Sequence, residues 1–296
     1  MKMENYFNNL TVDISPLQFE PSKFSFDDAK FVIIGIPFDR TSSFRSGSKF
    51  APNAIREASY NFENYLFEHD MDFSNIPFCD IGNLEELGGS KEMLESVEEV
   101  MKVLIEKNKF PVIIGGEHFM TPSVVNCYEN VGVIILDAHL DFRDSYLGNK
   151  YSHACVTRRV YEIVGKKNLV ILGVRSMSSE EKNDAKEMGL KYFSSFDIKE
   201  IGVEETLNKV LNFVQSNNIY LSLDVDVVDP SFAPGVGNPE PFGLTPLDIK
   251  KCINILAKKL VGFEVSEVSP YFDNGNTSAL TARFIREVIT VAEKKL

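Results

Sequence analysis

Six short apolar runs alternate with segments of helical periodicity, and this alternation restricts the possible folds more than any other feature of the chain. The runs are Phe31 to Pro37, Pro111 to Ile114, Val131 to Leu136, Leu169 to Val174, Tyr220 to Leu223 and Val261 to Val265. Each is essentially continuous rather than alternating, as expected of strands buried on both faces. Between them, Met93, Val97, Met101 and Leu104 recur at helical spacing from Ser90 onward. Leu207, Val210, Leu211 and Val214 do the same from Val203. Thr245-Pro246-Leu247-Asp248 has the marks of a helix start: a capping hydroxyl, proline at the first position and an acid in the first turn. Strands alternating with helices predict a mostly parallel sheet covered on both sides. No repeat, low-complexity tract or Gly/Ser linker interrupts the sequence, so residues 1–296 are expected to form one domain. The Gly/Pro-rich stretch Pro230 to Gly243 directly follows a strand and reads as a functional loop.

In open α/β sheets, ligands gather at the carboxyl ends of strands. Three of the predicted strands run straight into acids and histidines. They are PVII followed by GGEH (Pro111 to His118), VIIL followed by DAHLD (Val133 to Asp141), and YLSL followed by DVDVVD (Tyr220 to Asp229). Only four histidines occur, and three of them, His118, His139 and His153, lie within one short stretch. In an extended segment Asp137, His139 and Asp141 share one side, and Asp224 and Asp226 repeat that arrangement. Carboxylates so close repel one another unless a cation lies between them, and a buried unpaired anionic cluster is very costly.

A lone DxD is usually a loop or a cap, and a lone Gly-Gly is a turn. All three motifs at strand ends argue for a metal centre. Carboxylates and imidazoles without thiolates suit Mn²⁺, or else Zn²⁺, Fe²⁺ or Co²⁺. His118, Asp137, His139, Asp141, Asp224 and Asp226 make six candidate ligands. That exceeds one tetrahedral site and suits two ions about 3.5–4 Å apart that share a water and generate hydroxide near neutral pH.

The net charge of −12 argues against nucleic acid as a partner. No apolar run reaches the roughly 18 residues of a membrane helix, and the N-terminus shows no signal-peptide pattern. Cys79, Cys127, Cys155 and Cys252 form no CxxC pair and read as free, buried thiols of a cytosolic chain.

The blocks GGEH, DAHLD, SHA (Ser152 to Ala154), SLDVDVVDPSFAPGVGNPEPFGLT (Ser222 to Thr245) and EVSPYFD (Glu267 to Asp273) resemble the ureohydrolases, the arginase and agmatinase family. TSSFRSGSKFAPNAIR (Thr41 to Arg56) resembles the agmatinase branch. The resemblance implies a three-layer α/β/α fold around a parallel sheet of about eight strands, with two Mn²⁺ ions. It implies that His118 binds one ion and His139 the other, with Asp137 and Asp224 bridging. Asp141 would complete the first site and hydrogen-bond the bridging hydroxide, and Asp226 would complete the second. His153 matches the family's proton shuttle and Glu267 the acid that holds the guanidinium. The implied reaction releases urea and an amine from a small cationic guanidino substrate, and the implied assembly is a homotrimer or hexamer.

Two departures from the family pattern stand out. Glu117 replaces the Asp that most relatives carry before the histidine, and it is assigned no role. Arg143 stands where arginases carry Asn, which favours a substrate without an α-carboxylate, such as agmatine. Asp144 is expected to neutralise Arg143; a carboxylate tail, as in guanidinobutyrate, is the other reading. Arginine, aminopropylagmatine and formiminoglutamate are the remaining rival substrates. A one-zinc deacetylase-like amidohydrolase and a non-catalytic metal-binding relative are the rival classes.

Overall fold

A computed structural model describes residues 12–13, 17–86 and 88–294. Its centre is a sheet of nine strands in the order β1-β5-β2-β6-β11-β10-β7-β8-β9. In chain order these are β1 (Val12–Asp13), β2 (Phe31–Ile36), β5 (Phe78–Leu84), β6 (Phe110–Gly115), β7 (Gly132–Leu136), β8 (Leu169–Val174), β9 (Lys191–Ser194), β10 (Ile219–Asp224) and β11 (Leu260–Ser266). Only β1 pairs antiparallel, along β5; the other eight are parallel throughout. A separate two-stranded ribbon joins β3 (Tyr65–Leu66) to β4 (Met71–Asp72). The expected sheet of about eight parallel strands is therefore present.

Alternate residues of each strand feed two separate cores, as the two-residue side-chain period dictates. Ile33, Val112, Ile134, Leu221 and Phe263 face one layer, formed by α1 (Ala51–Ser59), α6 (Ser195–Ile201), α7 (Val203–Phe213), α8 (Pro246–Leu256) and α9 (Asn276–Glu293). Ile34, Ile113, Val133 and Ile171 face the other, formed by α2 (Ser90–Glu106), α3 (Thr121–Val125), α4 (Val156–Val164) and α5 (Ser179–Met188). Each large side chain so buried contributes roughly 1.5–3 kcal/mol of transfer free energy. The predicted start of α8 is present in full. The Thr245 hydroxyl accepts from Asp248 N, Asp248 Oδ2 accepts from Thr245 N, and Pro246 occupies the first turn.

Three strands of the central sheet escaped the sequence pattern: the two-residue β1, β5 and β9. β5 reads FCDIGNL, and its apolar run is broken by Asp80 and Asn83. Asp80 is buried there because Arg56 of α1 grips it with two hydrogen bonds, Nε to Oδ2 at 2.7 Å and Nη2 to Oδ1 at 2.9 Å. β9 is a four-residue edge strand, exposed at Lys191 and half-buried at Tyr192 and Ser194, and carries little apolar signal.

The strand order decides where chemistry can occur. β6 and β7 are successive strands in sequence, yet β11 and β10 lie between them. The carboxyl ends of β6, β11, β10 and β7 therefore stand side by side, at the place where the chain leaves neighbouring strands in different directions.

Candidate metal centre

His118, Glu267, Asp224 and Asp137 each sit at or just beyond the carboxyl end of one of those four adjacent strands. Gly116, after β6, passes so close to the exit of the neighbouring β2 that a Cβ would lie 2.1 Å from Phe38 O; only glycine fits. This turn drops His118 into the interior, fully buried. Its Nδ1 lies 3.0 Å from Asp137 Oδ2 and 3.4 Å from Asp224 Oδ2. Its Nε2 lies 2.9 Å from Ser222 Oγ, and that hydroxyl donates to Glu264 Oε1 at 2.7 Å. Ser222 has one proton and gives it to the carboxylate, so its oxygen accepts from His118 Nε2–H. The lone pair of Nδ1 then faces the aspartates.

Asp137 Oδ1 accepts from His139 N at 2.6 Å, and His139 Nδ1 lies 2.8 Å from Asp226 Oδ2. The donor atoms fall into two sets, each within 4.8 Å: His118, Asp137 and Asp141, and Asp137, His139 and Asp226. Asp137 belongs to both. Asp224 lies beside them, with Oδ1 accepting from Asp226 N at 2.9 Å. The six expected donors thus converge, but not by the extended geometry read from the sequence. Asp141 has φ of +50°, a left-handed residue. Asp224 caps a 3₁₀ turn, Val225–Val227, that contains Asp226. Turns, rather than strand alternation, bring these carboxylates together.

A cavity of about 400 Å³ opens above the two sets, lined among others by His139, Asp141, Arg143, His153, Glu240 and Glu267. Glu267 also has positive φ, +65°. Its N–H donates to Gly116 O at 2.8 Å and its Oε1 accepts from His118 N at 2.7 Å. Two non-glycine residues in this sparsely populated region at one site are a form of backbone strain associated with function. His153 begins a 3₁₀ turn, His153–Cys155, and packs edge-on against the Tyr146 ring.

The sequence profile described as the arginase family matches residues 29–290. The chain belongs to the arginase family. It is 34% identical over 274 residues to an agmatinase of Bacillus cereus, covering 90% of this chain and 92% of that protein. It is 34% identical over 270 residues to the N(1)-aminopropylagmatine ureohydrolase of Thermococcus kodakarensis, covering 89% and 88%. Its fold matches the crystal structure of the agmatine ureohydrolase of Thermoplasma volcanium with a TM-score of 0.91 and 40% identity over 95% of each chain.

The donors of this arginase-family site fit a pair of divalent cations on electrostatic grounds. Burial pushes Asp137, Asp141 and Asp224 up, and repulsion from neighbouring carboxylates adds to it. Burial also raises Asp226, but the charge and hydrogen bond of His139 outweigh it and hold Asp226 at about 2. Burial opposes charge on the imidazoles too, yet the aspartates hold His118 well above its usual value and His139 at about 11. Four carboxyl groups and two imidazoles thus crowd one site, and divalent cations would meet the negative charge and take the imidazole lone pairs.

Across the cavity the groups are tuned differently. Burial pushes Glu267 up to about 7 and drives His153 down to about 4, leaving its imidazole neutral. Arg143 Nη2 pairs with Glu181 Oε2 at 3.2 Å, and its guanidinium lies over the Tyr146 ring. Asp144, expected as its partner, instead pairs with Arg159 at 2.8 Å and Lys150 at 3.8 Å. Glu181 reaches Arg143 from α5, whereas Asp144 is taken up by Arg159 and Lys150.

Several contributors lay outside the sequence reading. Glu264 is fully buried and accepts from Ser222, Thr121 and Tyr220 hydroxyls; an acid inside the apolar run FEV was its signal. Arg175 donates to the carbonyls of Asp226 and Glu240, both at 2.7 Å, and to those of Pro241, Gly173 and Val227. It thereby pins the 230–243 loop, which carries Glu240, against the metal-ligand turn. No local signal marks Arg175, because all its partners are main-chain atoms.

Proposed function

We propose that this protein hydrolyses agmatine to putrescine and urea, with two Mn²⁺ ions as cofactor. His118, Asp137, Asp141 and Asp224 would hold one ion and Asp137, His139, Asp224 and Asp226 the other. When bound, such a pair sharing one water supplies a hydroxide nucleophile near neutral pH. The observation that carries this reading is the sharing of Asp137 by two ligand sets beneath one cavity that also presents Glu267 and His153.

Glu267 grips the planar guanidinium through paired hydrogen bonds. The His118 N–H on Oε1 fixes the carboxylate's orientation and so the approach of the guanidinium carbon. His153 is half-buried and neutral at rest, so it takes up a proton released in the attack and delivers it to the departing nitrogen. That step is required because an amide anion is a very poor leaving group. Glu240 lines the cavity and favours a cationic tail, while pairing with Glu181 commits Arg143. Guanidinobutyrate, whose carboxylate needs a free cation, is disfavoured for the same reason.

The same reading makes the chain one domain over residues 1–296, a cytosolic homotrimer or hexamer that acts in polyamine biosynthesis on a small cationic substrate, without nucleic acid or membrane partners. Four free cysteines and the charge of −12 support it, and no described helix is long and apolar enough to cross a membrane.

Urea release from agmatine, arginine, guanidinobutyrate and aminopropylagmatine, and formamide release from formiminoglutamate, should be measured on Mn²⁺-loaded protein alongside metal analysis. Agmatine is expected to give the highest kcat/KM, with two metal equivalents per chain. A preference for guanidinobutyrate overturns the substrate assignment. Full metal loading with no hydrolysis of any of these compounds overturns the reaction.

A further inference from the structure

Thr41, in the loop after β2, has its hydroxyl oxygen at the junction of three groups. It lies 2.9 Å from Glu117 Oε1, 3.0 Å from His153 Nδ1 and 3.1 Å from His153 N. A threonine hydroxyl offers one proton and two lone pairs. The backbone N–H of His153 is always a donor and takes one lone pair. The proton goes to Glu117 Oε1, whose partner oxygen Oε2 receives the Thr41 N–H at 2.8 Å. The remaining lone pair accepts from His153 Nδ1, which therefore carries the ring proton. Ser152 Oγ, 3.3 Å from the same Nδ1, is the more distant partner.

We infer that Thr41, anchored by Glu117, is a positioning residue that fixes the Nδ1–H tautomer of His153 and leaves Nε2 as the nitrogen that exchanges protons in the cavity. This rests on the proton-shuttle role proposed above for His153. It also gives a role to the family departure at Glu117. β2 and β6 are neighbours in the sheet, and Glu117 N donates to Phe38 O at 2.8 Å, so the two loops run together. The carboxylate comes from one loop, the hydroxyl from the other, and the imidazole from a third.

The tautomer can be read directly. Long-range ¹H–¹⁵N spectra of the full-length protein loaded with diamagnetic Zn²⁺, with His153 assigned by comparison with His153→Asn, report which ring nitrogen is protonated. The expected wild-type result is a protonated Nδ1 and a bare Nε2. Thr41→Val, which keeps the shape and removes the hydroxyl, should lose that preference, while Thr41→Ser should keep it and Ser152→Ala should leave it unchanged. In the Mn²⁺ enzyme, Thr41→Val should lower kcat for agmatine roughly 10- to 100-fold. KM and metal content should stay within about twofold, and Thr41→Ser should restore most of the loss. An Nε2–H tautomer in the wild type, or a tautomer that survives Thr41→Val or flips in Ser152→Ala, overturns the inference. These spectra do not depend on turnover, so a wild type inactive on every guanidino compound would overturn the proposed function while the tautomer result still decided this one.

Discussion

His118 Nε2 rests on the Ser222 hydroxyl at 2.9 Å, and Ser222 in turn leans on the buried carboxylate of Glu264. The chain of two hydrogen bonds decides which imidazole nitrogen a metal in the proposed site would meet. Groups behind a metal ligand typically change affinity by about 10- to 100-fold when removed. Ser222→Ala and Glu264→Gln should therefore weaken Mn²⁺ retention by that factor, measured by dialysis against graded chelator and metal analysis. Unchanged affinity in both would mean that His118 needs no support from behind.

His153 and Glu267 line the same cavity but should fail differently when replaced. His153→Asn removes the proton carrier and should lower kcat by about 10² to 10⁴ with little change in KM. Glu267→Gln removes the negative charge facing the guanidinium. Its main effect should be a rise in KM for agmatine, accompanied by a fall in kcat where orientation is lost. Initial rates over a range of agmatine concentrations separate the two patterns, and metal content should match the wild type in each.

Arg56 and Asp80 form a pair with no exposed side-chain surface. Asp80 also accepts from Phe19 N at 2.7 Å and Gly82 N at 2.9 Å. Removing one member leaves the other charged and buried, which costs about 3–5 kcal/mol. Arg56→Met should lower the unfolding free energy from denaturant melts by that amount, and Arg56→Met combined with Asp80→Leu should lose less than the sum of the single changes. Additive losses would show that the pair is not coupled.

Glu20 gives the protein a pH dependence remote from the metal centre. Burial lifts its carboxyl to about 7, although Arg286 lies 2.8 Å away and pulls the other way. The folded chain thus holds this proton more tightly than the unfolded chain, whose carboxyl titrates near its usual value of 4.5. The stability this contributes is complete below pH 4.5 and lost as pH rises through 7. A shift of this size corresponds to a few kcal/mol at most, at about 1.4 kcal/mol per unit. Thermal melts of metal-free wild type and Glu20→Gln between about pH 5 and 8 should diverge, with the wild type declining more steeply. Parallel curves would contradict the shift.

The six candidate donors stood out in the sequence because they cluster within a few residues of the ends of three apolar runs, which placed them near strand ends. Their mutual arrangement was only partly legible: the turns at Asp141 and at Asp224 to Asp226 replace the extended geometry that alternation suggests. Thr41 and Arg175 were silent, and Glu264 showed only as an acid within an apolar run, because their partners lie on elements brought near by sheet order. Ser222 and Glu264 sit opposite one another only because β10 pairs with β11. The same applies to β5, where Asp80 looks like a loop residue until Arg56 arrives from α1. Arg143 shows the converse error, since the nearest acid in sequence was not the nearest in space.

The strand order also has a consequence for biosynthesis. β10 and β11 are made last, yet they occupy the middle of the sheet, between β6 and β7. A nascent chain that has passed β9 still lacks Asp224, Asp226 and Glu267, and its β6 and β7 have no partner on the side these strands will fill. Until both strands leave the ribosome, two apolar edges remain open to mispairing. The six candidate donors therefore cannot come together before β10, which brings Asp224 and Asp226, has joined β7.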